Sequence, residues 1–258
     1  MDSRVGGIAR EPGFLRRWIR RGFLVWALVS TVWFLNSYRT RGFDEALLAS
    51  DAQVSVQRTQ ETLAFLPVAA SPHPGLVFIV GAGVAPEAYA PLLRPIAAMG
   101  HPVIVVALPW RIAPLEQHKE AAVGRARASI ENEKSAMRWV IAGHSLGGAL
   151  ACRLAEDPGS RVKAIVLIGT SHPKRVDLSR VRLPITKVFA SSDGVATVEM
   201  INATRHLLPA ATRWVEIEGG NHSQFGHYGH QLFDGSPGIS REQQQALTRA
   251  ALADALRE

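Results

Sequence analysis

The stretch Val140-Ile-Ala-Gly-His-Ser-Leu-Gly-Gly-Ala-Leu150 runs from an apolar, β-branched segment into residues of helical character, with Ser145 held between Gly143 and Gly147 at the junction. Strand, turn and helix follow one another with no spacer. A glycine two residues to either side of the serine leaves room for a backbone too tight and strained to tolerate side chains there. Such a turn lifts the hydroxyl clear of the chain. The helix that follows aims free N–H groups and the positive end of its dipole at the same spot, where an oxyanion would be stabilised. A glycine-rich turn in a nucleotide-binding fold shares this spacing, so the reading depends on partners elsewhere in the chain.

Working outward, apolar runs at 76–80, 102–107, 139–142, 162–168, 185–190 and 213–217 read as strands, several of them buried on both faces. Helix-length stretches lie between them at 85–99, 116–133, 146–156 and 196–208. Ser240-Arg-Glu-Gln243 is a capping-box pattern opening a last helix to Leu256. This alternation predicts a mostly parallel sheet with crossover helices on both faces. Residues 42–74 read as a polar connector and 75–258 as the globular domain, with Cys152 a buried small apolar residue on the nucleophile helix.

The charge of the chain sits at its start. Of a net +7, residues 1–41 hold +6, from eight arginines against Asp2 and Glu11. The remainder is nearly neutral and has no basic stripe of the kind that neutralises phosphates, which argues against nucleic-acid binding. Within that basic segment an apolar span from Gly22 to Leu35 is bracketed by Arg16, Arg17, Arg20 and Arg21 and by Arg39 and Arg41. It reads as a helix at about 18–38 that anchors the protein in a membrane, in preference to a cleaved signal or a soluble packing helix. Trp26, Trp33 and Tyr38 would be its interfacial aromatics, and the heavier N-terminal arginine would leave the domain extracytoplasmic.

A serine hydroxyl is a weak nucleophile unless a base takes its proton and a third group orients that base. Asp193, in Ala190-Ser-Ser-Asp-Gly194, and His222, in Glu218-Gly-Gly-Asn-His222, each fall just past a strand, at the carboxyl edge of the expected sheet. The order Ser, Asp, His is that of an α/β-hydrolase. From about Leu76 onward the chain resembles that superfamily. Gly219-Gly-Asn-His-Ser-Gln-Phe-Gly226, Tyr228-Gly229, Asp234-Gly235 and Ile239-Ser-Arg-Glu-Gln243 are similar to a group of bacterial members, often with an N-terminal membrane segment and largely of unassigned substrate.

The resemblance implies Ser145 as nucleophile, His222 as base and Asp193 as its orienting acid. It also implies an oxyanion hole from the N–H of Leu146 and one from the loop Val80-Gly-Ala-Gly-Val84, with Ala82 preferred and Gly83 second. That loop departs from the common His-Gly-Gly form, since Val80 stands where histidine often does. The expected activity is carboxylic ester hydrolysis through an acyl-enzyme, with no cofactor. Acyl transfer, amide or thioester hydrolysis, and a non-catalytic membrane-tethered binding module are the alternatives.

Among the other polar residues, His144 and His172 are placed at the pocket wall. The spacing of His222, His227 and His230 matches no familiar metal-ligand pattern. Asp234 lies after the histidine and is expected to tie down its loop. Residues 168–185 leave no room for a sizeable lid, so a small or exposed ester, or an amphiphilic one presented at a membrane, is the expected substrate.

Overall fold

Five apolar runs pair side by side and are covered on both faces. The computed structural model describes residues 12–69 and 72–257, without the side chains of Pro12, Trp33, Phe34, Leu35 and Ser37. The chain divides between Ser37 and Tyr38 into two compact units.

The first unit contains a helix, α1 (Pro12–Ser37). It does not meet the expectation of a membrane anchor, because no helix among the described residues is long and apolar enough to cross a membrane. The physical reason is length. Four arginines occupy its first ten positions, and the apolar part, residues 22–35, rises only about 21 Å at 1.5 Å per residue, against a hydrocarbon core of about 30 Å. Trp33, named above as an interfacial aromatic, has its side chain outside the described residues, and Arg4 and Arg10 of the basic segment also lie outside them.

The second unit is built on an eight-stranded sheet. Its strands are β1 (Val54–Arg58), β2 (Thr62–Pro67), β3 (Gly75–Ile79), β4 (Val103–Val106), β5 (Trp139–His144), β6 (Val162–Ile168), β7 (Ile185–Ala190) and β8 (Arg213–Ile217). They lie in the order β1-β2-β4-β3-β5-β6-β7-β8. The run from β4 to β8 is parallel, whereas β1 and β2 form an antiparallel hairpin whose second strand pairs antiparallel with β4.

This hairpin corrects the reading of 42–74 as a connector. Val54, Leu63 and Phe65 are buried while their neighbours along the strands are more exposed. Such edge strands are short and covered on one face, so they show less of the continuous burial that marks the central strands. Thr59 closes the turn between them, its hydroxyl accepting the N–H of Glu61 at 3.1 Å and of Thr62 at 2.9 Å.

The crossover helices are α2 (Ala90–Ala98), α3 (Glu116–Asn132) and α4 (Leu146–Glu156); α5 (Val198–Ala203) and α6 (Arg241–Arg257) follow. Packing groups α3 with α4 and α2 with α6. Right-handed crossovers that run outward from β3 to β4 and back across to β5 put the two groups on opposite faces of the sheet. The capping box of α6 is formed, with Ser240 Oγ accepting the N–H of Gln243 at 3.2 Å and Gln243 Oε1 accepting the N–H of Ser240 at 2.9 Å. No helix or strand occurs between β6 and β7, where residues 169–184 run as loop.

Strand order reverses between β3 and β5. Such a switch point opens a crevice at the carboxyl edge of the sheet, because the loops that leave the two strands diverge to opposite faces. Ile79 is paired with Gly143 across it, so the loop after β3 and the turn after β5 lie side by side.

Candidate active site

Ser145 occupies that turn. It is left-handed in φ, at 54°, with ψ at −116°, a conformation that costs a non-glycine residue free energy and persists only where the surroundings impose it. The imposition is visible. A methyl group on Gly143 would strike the carbonyl of Gly147, and one on Gly147 would strike the carbonyl of Ile79 in β3. The elbow is thus clamped between its own helix and the neighbouring strand. Both opposing groups are backbone and cannot rotate away, so Gly147→Ala is expected to lower unfolding stability by about 3–4 kcal/mol. Thermal denaturation should register this as a fall in Tm of roughly 6–16 °C.

Asp193 sits three residues beyond β7 and His222 five beyond β8. The ends of these strands are level, Ala190 pairing with Ile217, and the two loops are stitched together by Ser192 N–H to the Gly220 carbonyl at 2.9 Å. Both side chains are withdrawn from water, with 1% of His222 and none of Asp193 exposed. Asp193 Oδ1 accepts the N–H groups of Val195 at 2.8 Å and Ala196 at 2.7 Å, which leaves Oδ2 to accept His222 Nδ1–H at 2.8 Å. The imidazole is thereby held with its other nitrogen, Nε2, buried and without a partner among the described residues.

Asp234 has different work. Its carboxylate accepts the N–H of His222 at 3.0 Å, the N–H and hydroxyl of Ser223 at 2.8 and 2.6 Å, and the N–H of Gly194 at 3.3 Å. It ties the histidine loop to the loop of Asp193 and does not touch the imidazole ring nitrogens.

His144, the residue before the elbow, is buried under the site. Its ring centroid lies 4.6 Å from that of His222 and 5.3 Å from that of Phe225. Tyr89 Oη accepts the N–H of Gly81 at 3.0 Å, so its own proton goes to His144 Nδ1 at 2.8 Å. Burial, followed by the charge of His222, holds the His144 pKa well below the ordinary histidine value and keeps the ring neutral.

The same hydroxyl helps to sort the donors of the loop after β3. Gly81 N–H is spent on Tyr89, and Gly83 N–H is spent on the carbonyl of Arg111 at 2.7 Å. Arg111 returns the contact through its guanidinium to the Gly83 carbonyl at 3.0 Å. Ala82 N–H has no partner among the described residues. Leu146, as the first residue of α4, has no intrahelical partner for its N–H. Ser145, Leu146 and Ala82 are each partly accessible, while Gly81, Gly83, His144 and Gly147 around them are buried.

His172 follows β6 and lies on the wall of a cavity of about 300 Å³ that also reaches Leu146. Burial, with Lys174 and Lys187 nearby, pushes its pKa down to about 4. His227 donates from Nδ1 to the Gly42 carbonyl at 2.9 Å, and His230 Nε2 lies 3.1 Å from the Asp234 carbonyl. Both hold backbone. No group of histidine, cysteine and carboxylate side chains among the described residues is placed to hold a metal ion.

Two contributors were not legible as such in the sequence. Tyr89 reads there as part of an apolar helix face, although a buried tyrosine hydroxyl needs a partner and that requirement is a usable signal. Arg111 offers no signal, because its contact with Gly83 joins positions 28 residues apart that no motif links.

Solved structures of similar architecture include a predicted hydrolase from Thermoplasma acidophilum, 15% identical over 78% of this chain and 98% of that one at a TM-score of 0.57. A ferulic acid esterase from Streptomyces cinnamoneus is 20% identical over 73% and 67% of the two chains, with a TM-score of 0.58. A dienelactone hydrolase-like promiscuous phosphotriesterase from metagenomic libraries is 12% identical over 79% and 99%, with a TM-score of 0.62. At these identities the likeness is one of fold. No curated protein sequence matches the chain. Residues 75–246, from the start of β3 into α6, match the profile of the alpha/beta hydrolase family, and with the elbow at Ser145 and the sheet order described above the chain belongs to that family.

Proposed function

We propose that the protein is a serine esterase in which Ser145, His222 and Asp193 act as a triad. The observation that carries the reading is the buried Asp193–His222 pair, which leaves one imidazole nitrogen unengaged, in a chain whose strand–helix turn holds a strained, partly accessible serine. Ser145 Oγ attacks the ester carbonyl as His222 Nε2 takes its proton. The imidazolium that forms is stabilised by Asp193 and then returns the proton to the departing alcohol. Water, deprotonated by the same nitrogen, resolves the acyl-enzyme.

The developing oxyanion is received by the N–H groups of Leu146 and Ala82. Ala82 is favoured over Gly83 because the Gly83 N–H already donates to Arg111. Arg111 acts as a positioning residue, holding the loop that carries the donor. The loop at 169–184 carries no lid helix, which favours small or exposed esters. The ferulic acid esterase among the similar structures is in keeping with ester chemistry on this fold.

The test is labelling of the full-length protein with a fluorescent fluorophosphonate, which reports an activated serine whatever the natural substrate. Wild type is expected to label within minutes and Ser145→Ala not at all. A folded wild type that stays unlabelled removes the esterase reading.

A further inference from the structure

The cavity that adjoins the elbow is lined by cations and by no acidic side chain. Leu146, Ala149, Leu150 and Arg153 follow one another along one face of α4 at helical spacing, an apolar floor that ends in a guanidinium. Leu146 and Arg153 are seven residues apart, about 10 Å along the helix axis. Lys119 of α3 and Lys174 and Arg175 of the segment after β6 complete the basic lining.

These cations are not equivalent. Arg153 is bound by Glu116 and by Glu120, the latter at 2.8 Å, and Lys119 by Glu116 at 3.2 Å. Two positive charges there are matched by two negative ones. Lys174 and Arg175 have no carboxylate partner among the described residues, so the cavity keeps an excess of +2.

An exposed lysine or arginine is ordinarily a solvated surface group, but the segment carrying this pair is pinned from below. The His172 carbonyl accepts a hydrogen bond from Lys187 Nζ, a lysine wholly buried in β7. The His172 N–H donates to Thr170 Oγ1 at 3.3 Å, and Thr204 Oγ1 donates to the Ser171 carbonyl at 3.1 Å. A buried amine used to hold one loop carbonyl fixes where the next residues of that loop stand. The cations that depress His172 are the same ones that would favour an anion in its neighbourhood.

We propose that this cavity is a subsite for an anionic group of the substrate, a carboxylate or phosphate joined to the reacting carbonyl through a short apolar spacer, with Lys174 and Arg175 as its recognition pair. The proposal rests on the esterase reading for the placement of the carbonyl at Leu146. The anion site itself stands on the lining and its charge.

Two esters of equal acyl length, 4-nitrophenyl hexanoate and 4-nitrophenyl hydrogen adipate, test it with the full-length protein. In the wild type kcat/KM is expected to favour the adipate monoester by about tenfold or more. The ratio is expected to fall about tenfold in Lys174→Gln/Arg175→Gln, as suits two partly solvated charge contacts, and to narrow in 0.5 M NaCl. An equal ratio in wild type and double variant overturns the proposal.

A binding arm separates it from the esterase reading. Adipate and inorganic phosphate are titrated calorimetrically into Ser145→Ala and into the same protein carrying the Lys174 and Arg175 changes. Anion binding to the first and not the second supports the site even if neither ester turns over, in which case only the esterase reading falls. The tighter of the two anions identifies the carboxylate or the phosphate as the substrate's group. Absence of binding by either anion, with no preference between the esters, overturns the subsite.

Discussion

Ser145→Ala is expected to lower kcat on a short-chain 4-nitrophenyl ester by about 10⁴-fold or more, and His222→Ala to do the same. Without the hydroxyl there is no acyl-enzyme, and water must attack directly. Without the imidazole the hydroxyl keeps its proton and is a poor nucleophile near neutral pH. The two losses should not add, because each removes the same step. A double variant is expected within about threefold of either single one, the remaining rate coming from the oxyanion donors and from substrate positioning. Steady-state kinetics on the three proteins, each verified as folded by circular dichroism, decides the matter. Retention of more than a tenth of wild-type kcat by Ser145→Ala would exclude the serine as nucleophile.

The second large effect separates two aspartates that lie close together. In Asp193→Asn the amide oxygen continues to accept from Val195 and Ala196, which turns the NH₂ toward His222 Nδ1. The imidazole must then carry its proton on Nε2, the nitrogen that has to accept from Ser145. An expected loss of about 10³–10⁴ in kcat follows, with the fold kept. Asp234→Asn acts on different bonds. Its carboxylate gathers N–H groups from His222, Ser223 and Gly194 as well as the Ser223 hydroxyl, and an amide offers only one accepting oxygen to that set. The expected result is a stability loss of about 2–3 kcal/mol with kcat lowered by less than about tenfold. Kinetics and urea denaturation on both variants read the two effects apart. A large kcat loss in Asp234→Asn with little in Asp193→Asn would exchange their roles.

The parts of this site that could be read before folding are those whose chemistry demands a particular residue at a particular spacing. Gly143, Ser145 and Gly147 are such a set, because backbone crowding admits nothing larger at either glycine. Asp193 and His222 were recognisable from their places after strands, since strand ends mark the edge where loops meet. The central strands were legible because burial on both faces leaves continuous apolar runs. The hairpin β1–β2 was not, because a half-covered edge needs only three buried side chains. The first helix carries arginines and interfacial aromatics in the places a membrane anchor would have them, but its apolar part is too short to cross a membrane.

The sequence by itself thus determined the strand–turn–helix at Ser145, the alternation that makes the sheet, and the chain order of the loops that follow its strands, all of them local or periodic constraints. The tertiary structure alone decided which N–H of the loop after β3 is left without a partner among the described residues, since that depends on Tyr89 and Arg111 claiming the neighbours of Ala82 across 8 and 28 residues. It also supplied the contacts themselves, Asp193 on the imidazole and Asp234 on the backbone of its loop. The cationic cavity belongs to the same class. It draws on α3, α4 and the loop after β6, and whether a lysine in it is neutralised depends on which carboxylates folding brings within reach, a distance that no spacing along the chain encodes.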